Sequence, residues 1–379
     1  MKRIKILDSL TESESLKTRT DNQKLINFGI GDTAFITPYP IIEATQIGLG
    51  TNKTHYTDSK GIVELREAIS SYLQKFDIPS TLDDIIITPG AMQAVFYSLF
   101  IHVEEGTKVG LFEPAWLAYN KIIKVCGGIP VFCSLKNNRL TITALEVFIE
   151  NDVKVIIINN PTNPTGKVWE KKELDILVNY CKENKVLLIS DEVYNEIVYD
   201  KKFISIGQYK GINSIVIGSF SKVFSMTGWR LGYIYSKNKK NIDRINKLQQ
   251  ITATCPNSFV QYGAIDFEAE LSKIQTQVAV YKRNRDLLYK TLSKINLKPL
   301  FPDGTFYMWV NVGMDGKKFA EKVYNDYGIV VVPGKPYGND TQNFIRISYA
   351  LPTEKVIRAC KRLKDIKWVD AYKKLGGEK

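Results

Sequence analysis

Between Ser219 and Tyr233 the chain reads SFSKVFSMTGWRLGY, with a lysine between two serines and an arginine eight residues beyond it. Lys222 is a candidate nucleophile toward carbonyls if withdrawal from water lowers its pKa, and an ordinary surface cation if it does not. Arg230 carries a planar fork of donors suited to phosphate or carboxylate. Their separation is too long for adjacent turns of one helix. Three other runs carry groups of different kinds. IIIT is followed by PGAMQA at 89–94, a glycine turn opening a helix, where free backbone N–H groups and the helix dipole offer an anion site. VIIIN is followed by NPTNPTG, whose prolines and glycine force a turn that presents Asn163. LLIS is followed by DEVY, which puts Asp191 where a buried strand ends, either as a cap for the next segment or as a fixed negative charge for a ligand.

These runs sit in a repeating frame. From residue 60 to about 235, short β-rich stretches (TKVGLF, IPVFCSL, VKVIIIN, KVLLIS and SIVIGS) alternate with segments of helical periodicity such as EKKELDILVNYCKEN. Between Lys60 and Phe76, Ile62, Leu65, Ile69, Tyr72 and Leu73 recur on one helical face. Such alternation predicts βαβ units, hence an α/β fold whose mostly parallel sheet is flanked by helices on both faces. Ligands of such sheets bind at the carboxyl ends of the strands, where each of these polar groups falls. A long segment from Tyr262 to about Ile295 reads as one extended helix. Beyond it, PDGTFYMWVNV, GKKFAEKVYNDYG, VVPGKPYGN and FIRISYA predict a smaller α+β unit.

At 379 residues the chain exceeds the size at which one core stops growing, so a large domain with a smaller companion is expected. No apolar run reaches about 18 residues, and MKRIKILDSLTESES turns polar before a signal-peptide core could form, so no membrane association is expected. Five scattered cysteines without a CxxC pair, and two isolated histidines, point to a reducing cytoplasm and no metal centre. The net charge of +12 comes largely from dispersed lysines, the densest patch being KNKKNIDRINK at 237–247, with no nucleic-acid-binding motif beside it. A general pull on small anions is the remaining inference.

A phosphate cradle, a carbonyl-seeking lysine, a carboxylate and an amide at one sheet edge suit one cofactor. Pyridoxal 5′-phosphate (PLP) needs its phosphate bound, its aldehyde held by lysine and its pyridinium nitrogen paired with an acid. From FGIGDTAFITP through HYTDSKGIVELREAI, TPGAMQA, EPAWLAY, NNPTNPTG, DEVY and SFSKVFSMTGWRLGY to FIRISYA, the motifs resemble those of the class I/II aminotransferases, fold-type I PLP enzymes related to aspartate aminotransferase. The resemblance spans nearly the whole chain. It implies a large PLP-binding domain at 45–280 and a small domain formed by 1–44 and 281–379. It also implies that Lys222 holds the aldehyde, that Asp191 pairs with the pyridine nitrogen, that Asn163 and Tyr194 bond the phenolic oxygen and that Trp116 stacks on the ring. The phosphate would lie on the backbone of Ala91 and Met92, the Ser219 and Ser221 hydroxyls and Arg230. Tyr56 matches a tyrosine that reaches a neighbouring subunit's phosphate, which implies a homodimer with shared sites. Arg346 would clamp the substrate α-carboxylate near Gly31, with Asn163 and Trp116 also facing the substrate.

The activity implied is ping-pong transfer of an α-amino group from an amino acid to a 2-oxo acid, with Lys222 as general base. Phe100, where some aspartate-specific relatives carry a basic residue, and the aromatic run GTFYMW point to an apolar or aromatic rather than an acidic substrate. The turn GDT at 31–33 departs from the commoner GEP-like turn at the substrate entrance. The same scaffold hosts carbon–sulfur lyases, decarboxylases and amino-acid oxidases or hydroxylases, and it also serves some transcriptional regulators, although no attached DNA-binding domain is found here.

Overall fold

Runs of Val, Ile and Leu without polar alternation persist as strands only where both faces are covered. β5 (Val155–Asn159) and β6 (Leu187–Asp191) are of this kind, and every residue in them is buried. The computed structural model describes residues 6–8 and 25–364; of the expected small domain, residues 1–5, 9–24 and 365–379 lie outside the described residues. β5 and β6 occupy the centre of a seven-stranded sheet with β2 (Ile85–Thr88), β3 (Lys108–Glu113), β4 (Ile129–Ser134), β7 (Ser214–Ser219) and β8 (Gly232–Tyr235), in the order β2-β8-β7-β6-β5-β3-β4. All run parallel except β8, which is antiparallel to both of its neighbours.

Alternate residues of each central strand serve opposite cores. Val155 and Ile157 pack with Val95 of α3 (Ala91–Phe100), Ile123 of α4 (Leu117–Val125) and Ile245 of α8 (Lys239–Thr252). Ile156 and Ile158 pack with Leu65 and Ile69 of α2 (Val63–Gln74) and Leu174 of α6 (Lys171–Glu183). The helix expected from Lys60 begins at Val63, because Gly61 takes a positive φ of 94° and Ile62 is extended. The basic patch at 237–247 opens α8, where the Asn238 side chain accepts from the Lys240 N–H at 3.2 Å while Ile242 and Ile245 are buried. A short helix, α5 (Glu146–Glu150), lies between β4 and β5.

The single long helix expected from Tyr262 is instead broken. α9 (Ser258–Gly263) ends, a 3-10 turn spans Phe267–Glu270, and only then does α10 (Leu271–Lys294) run uninterrupted. The reason is packing. Gly263 lies so close to α1 (Tyr39–Gly50) that a Cβ would collide with the Thr45 hydroxyl. Turning the chain there lets Phe267 sit edge-on to both Tyr72 and Phe220 at 5.3 and 5.0 Å.

A second, antiparallel sheet, β12-β13-β10-β9, is built from β9 (Lys298–Pro299), β10 (Tyr307–Asn311), β12 (Val332–Pro333) and β13 (Phe344–Ser348). α11 (Gly316–Tyr327) and α12 (Thr353–Lys364) belong to the same C-terminal part. β1 (Ile26–Asn27) pairs in parallel with β11 (Ile329–Val330), and Phe28 accepts at its carbonyl from the Ser348 N–H at 2.8 Å. These bonds deliver the loop that follows β1 to the carboxyl edge of the large sheet. Among the described residues no helix is long and apolar enough to cross a membrane.

Candidate active site

The reversed direction of β8 explains the spacing of Lys222 and Arg230. Lys222 lies just past the carboxyl end of β7, and Arg230 just before the amino end of its antiparallel neighbour, so both fall on one edge of the sheet. The loops of β2, β3, β5 and β6 reach the same edge, and together they enclose a cavity of about 350 Å³. Ala91, Met92, Trp116, Asn163, Asp191, Tyr194, Ser219, Ser221, Lys222, Arg230, Gly31 and Arg346 all line it. Tyr56 does not; it stands on the surface with 84% of its area exposed.

One end of the cavity is built for an anion. α3 starts there without any side-chain cap, which leaves its first N–H groups for a ligand. Gly90 has φ 86°, and a Cβ there would collide with the Arg230 guanidinium, so glycine permits the arginine to lie against the helix start. Arg230 takes a left-handed conformation (φ 58°, ψ 54°) unusual for a residue with a Cβ, and its Nη1 donates to the Thr227 carbonyl at 2.7 Å. The Ser219 hydroxyl caps the one-turn helix α7 (Phe220–Val223), accepting from the Ser221 N–H at 3.1 Å.

On the cavity floor Asp191 is buried. Its Oδ2 accepts from the Tyr119 hydroxyl at 2.5 Å and its Oδ1 from the Val193 N–H at 3.4 Å. Burial pushes its pKa up to about 6 against those two bonds and the charge of Lys222. The Asn159 amide donates to the Asp191 carbonyl at 2.9 Å, and the Asn159 side-chain oxygen accepts from the Asn163 N–H at 2.6 Å, which locks the two loops together. Burial likewise drives the pKa of Lys222 down to about 8, with Arg346 and Arg230 adding to the effect and Asp32 and Asp191 opposing it. Its Nζ donates to the Gly31 carbonyl at 2.6 Å.

Arg346, on β13, is 2% exposed, with Nη2 donating to the Gly29 carbonyl at 2.7 Å and Nη1 to Asn163 Oδ1 at 3.4 Å. Its guanidinium lies 4.5 Å from the centre of the Tyr307 ring, and the Tyr194 hydroxyl donates to that of Tyr307 at 3.2 Å. Its Nε has no hydrogen-bond partner, and among the described residues no carboxylate pairs with it. A buried cation left without a counter-charge is costly unless a ligand supplies one.

Sequence reasoning did not single out Tyr119, Asn159, Thr227, Tyr307 or Asp32 as individual site residues, although all five line the cavity. Tyr119 and Tyr307 stood inside the runs EPAWLAY and GTFYMW, but an aromatic in such a run is more often core. Phe100, by contrast, is absent from the lining and lies at the far end of α3, 39% exposed. Among the described residues, Phe100 therefore does not reach this cavity.

Behind the site lies a second buried carboxylate. Glu192 accepts from Ser190 Oγ at 2.7 Å, Ser205 Oγ at 2.6 Å and the Ile206 N–H at 3.0 Å, yet burial, aided by Asp191, raises its pKa from 4.5 to about 7. A carboxyl with a raised folded pKa holds a proton that the unfolded chain has already released. Its contribution to stability is present at low pH and is lost as pH rises from 4.5 to about 7. Glu192→Gln should therefore be relatively more stable at pH 7.5 than at pH 5 when compared with the wild type, by at most ~1.4 kcal/mol for each tenfold difference in proton affinity between folded and unfolded chains. Urea midpoints of the two proteins across that range check this, and parallel curves would exclude it.

A family model described as aminotransferase class I and II matches residues 23–363. The chain is 34% identical over 366 residues to an aspartate aminotransferase of Sulfurisphaera tokodaii, covering 92% of this chain and 91% of the relative. It is 33% identical over 358 residues to aromatic-amino-acid aminotransferase 2 of Thermococcus litoralis, covering 90% and 91%. The crystal structure of an aromatic aminotransferase from Pyrococcus horikoshii superposes with a TM-score of 0.87 at 33% identity, covering 96% of this chain and 99% of that one. Sequence likeness on this scale, over a shared fold and nearly the whole chain, makes it a member of the class I and II aminotransferases, the fold-type I group whose enzymes work with PLP.

Proposed function

We propose that this aminotransferase holds PLP and moves the α-amino group of an amino acid to a 2-oxo acid by a ping-pong mechanism, acting on apolar or aromatic side chains in preference to acidic ones. The observation that carries the reading is the meeting, in one cavity, of a lysine with a burial-lowered pKa, a buried aspartate and a buried arginine with an unpartnered Nε. The donor set fits the cofactor. A phosphate suits the uncapped start of α3 with Ser219, Ser221 and Arg230, and a protonated ring nitrogen suits Asp191.

When bound, PLP supplies an aldehyde that takes up the amino group and a ring that accepts the electrons left when the Cα–H bond breaks. Lys222 would hold the aldehyde and, once released, take the proton from Cα, since with a pKa of about 8 a useful fraction of its amine is unprotonated near neutral pH. Asp191 would set a negative charge against the ring nitrogen, and the Tyr119 hydroxyl holds that carboxylate in place. Arg346 and Asn163 would orient the α-carboxylate near Gly31, while Tyr194 and Asn163 bond the phenolic oxygen and Trp116 covers the ring. Four aromatic lining residues, Trp116, Tyr119, Tyr194 and Tyr307, support a neutral substrate side chain.

The exposure of Tyr56 supports a homodimer in which it reaches the partner's phosphate. The separate sheets support a large unit at 45–280 and a small one from 1–44 and 281–379. Free, mostly buried cysteines accord with a cytoplasmic setting. The test is the near-UV and visible spectrum of the purified protein, recorded with pools of amino acids under anaerobic conditions. The absorbance of the lysine-bound cofactor is expected to bleach and to return with a 2-oxo acid. Release of pyruvate and ammonia from a cysteine conjugate, or a change seen only when oxygen is admitted, would overturn the assignment in favour of a lyase or an oxidase.

A further inference from the structure

We propose that Tyr307 is a positioning residue for amino transfer: its hydroxyl donates to that of Tyr194 and so turns the Tyr194 proton toward the phenolic oxygen of the bound cofactor. The assignment rests on the PLP reading of the cavity and gives a task to a lining residue that the reading leaves without one. Tyr194 and Tyr307 both line the cavity, both are buried, and each carries one hydroxyl proton. Burial raises both pKa values above the ordinary phenol range, so both protons stay on at any working pH. Yet the two hydroxyls share a single hydrogen bond of 3.2 Å, and among the described residues neither has another hydrogen-bond partner. Two donors with one bond leave one proton without an acceptor, a deficit that a ligand oxygen in the cavity would fill.

The surroundings decide which proton goes to the ligand. Tyr307 stands on β10, paired with Ser348 of β13, and the Arg346 guanidinium lies 4.5 Å from the centre of its ring. Its oxygen is closed in by the substrate turn, since a Cβ on Gly31 would collide with it. The Tyr194 ring meets that of Tyr307 edge-on, with centres 5.8 Å apart, and Tyr194 belongs to the turn that follows Asp191. In the ligand-free protein Tyr194 donates to Tyr307. An acceptor arriving beside Tyr194 reverses that bond by rotation of the two hydroxyls alone. Tyr307 then donates to Tyr194, Tyr194 donates to the ligand, and no proton is left over. A hydroxyl that accepts one hydrogen bond is also a stronger donor in the next, so Tyr307 strengthens the contact as well as aiming it.

The test is a spectral pH titration of the PLP-loaded protein. A hydrogen bond donated to the phenolic oxygen stabilises its anion, so weakening that bond raises the pH at which the visible band of the lysine-bound cofactor changes. Tyr307→Phe keeps the ring under Arg346 and removes only the hydroxyl, whereas Tyr194→Phe removes the donor itself. The charged groups that face the pair, Arg346, Asp191 and Asp32, are the same in both variants. Tyr194→Phe is expected to raise the midpoint by about one pH unit and Tyr307→Phe by about half a pH unit, which is about a threefold change in proton affinity. Because Tyr307 acts through Tyr194, adding Tyr307→Phe to Tyr194→Phe should move the midpoint no further. With the ring still beneath Arg346, KM for the amino acid should stay within about twofold while kcat falls about threefold. Equal shifts from Tyr307→Phe in both backgrounds would mean that it acts independently of Tyr194 and would overturn the proposal. So would a Tyr307→Phe variant whose only loss lies in KM or in thermal stability. If the protein takes up no PLP, or Tyr194→Phe leaves the midpoint in place, the reading of the cofactor site fails; if Tyr194→Phe moves it and Tyr307→Phe does not, that reading stands and Tyr307 alone is misassigned.

Discussion

Lys222→Ala is expected to lower amino transfer by about four orders of magnitude or more, because a single amine both holds the carbonyl and moves the proton. Among the described residues no second lysine lines the cavity, so no other amine stands ready to replace it. The variant should still bind PLP through the phosphate end, which lies on the α3 start, the serines and Arg230. Borohydride should then fix the cofactor covalently to the wild type and not to the variant, a mass difference that identifies the residue independently of turnover. The fold should tolerate the change, since what is lost is one amine that burial already disfavours and one bond to the Gly31 carbonyl. If more than about one per cent of the wild-type rate survived in a properly folded variant, Lys222 would not be the base.

Arg346→Leu is expected to lower kcat/KM for every amino acid by about a thousandfold, the order seen when one partner of a buried charged pair is removed. Leucine replaces the stem of the side chain and abolishes the fork, so the α-carboxylate would face Tyr307 and Asn163 without a counter-charge. In the ligand-free protein the balance differs. Arg346 is buried with an unpartnered Nε, so removing its charge relieves a desolvation penalty that roughly offsets the lost bonds to Gly29 and Asn163. The thermal midpoint should stay near that of the wild type while catalysis collapses. A large fall in both would mark Arg346 as a structural residue. Arg346→Lys should recover little, because a point charge cannot reproduce two parallel bonds to a carboxylate.

Much of this site could be read before any fold was known, for a local reason. In a parallel α/β sheet each strand delivers its last residues to the same edge, so identifying strands such as VIIIN and LLIS also identifies Asn163 and Asp191 as edge residues. Lys222 follows from the end of SIVIGS in the same way. Arg346 was legible only through resemblance, since nothing in FIRISYA by itself distinguishes a substrate clamp from a buried ion pair. Two readings went astray where packing overrode pattern. Periodicity from Tyr262 onward could not register that Gly263 must press against Thr45, and the position of Phe100 carried a substrate argument that its place at the outer end of α3 does not support.

The sequence by itself determined the succession of strands and helices and which polar residues stand at strand ends, because hydrophobic periodicity and turn chemistry act over a few residues. The partners of those residues were decided only by tertiary structure. Tyr119 meets Asp191 across 72 positions, Lys222 meets the Gly31 carbonyl across 191, Asp32 meets Thr227 across 195 and Arg346 meets Gly29 across 317. No periodicity encodes such contacts. They exist because β8 runs against its neighbours and because β1, paired with β11, carries the loop of Gly29, Gly31 and Asp32 over the open edge of the large sheet, and Lys222 and Asp191 acquire their shifted pKa values only once burial there removes them from water.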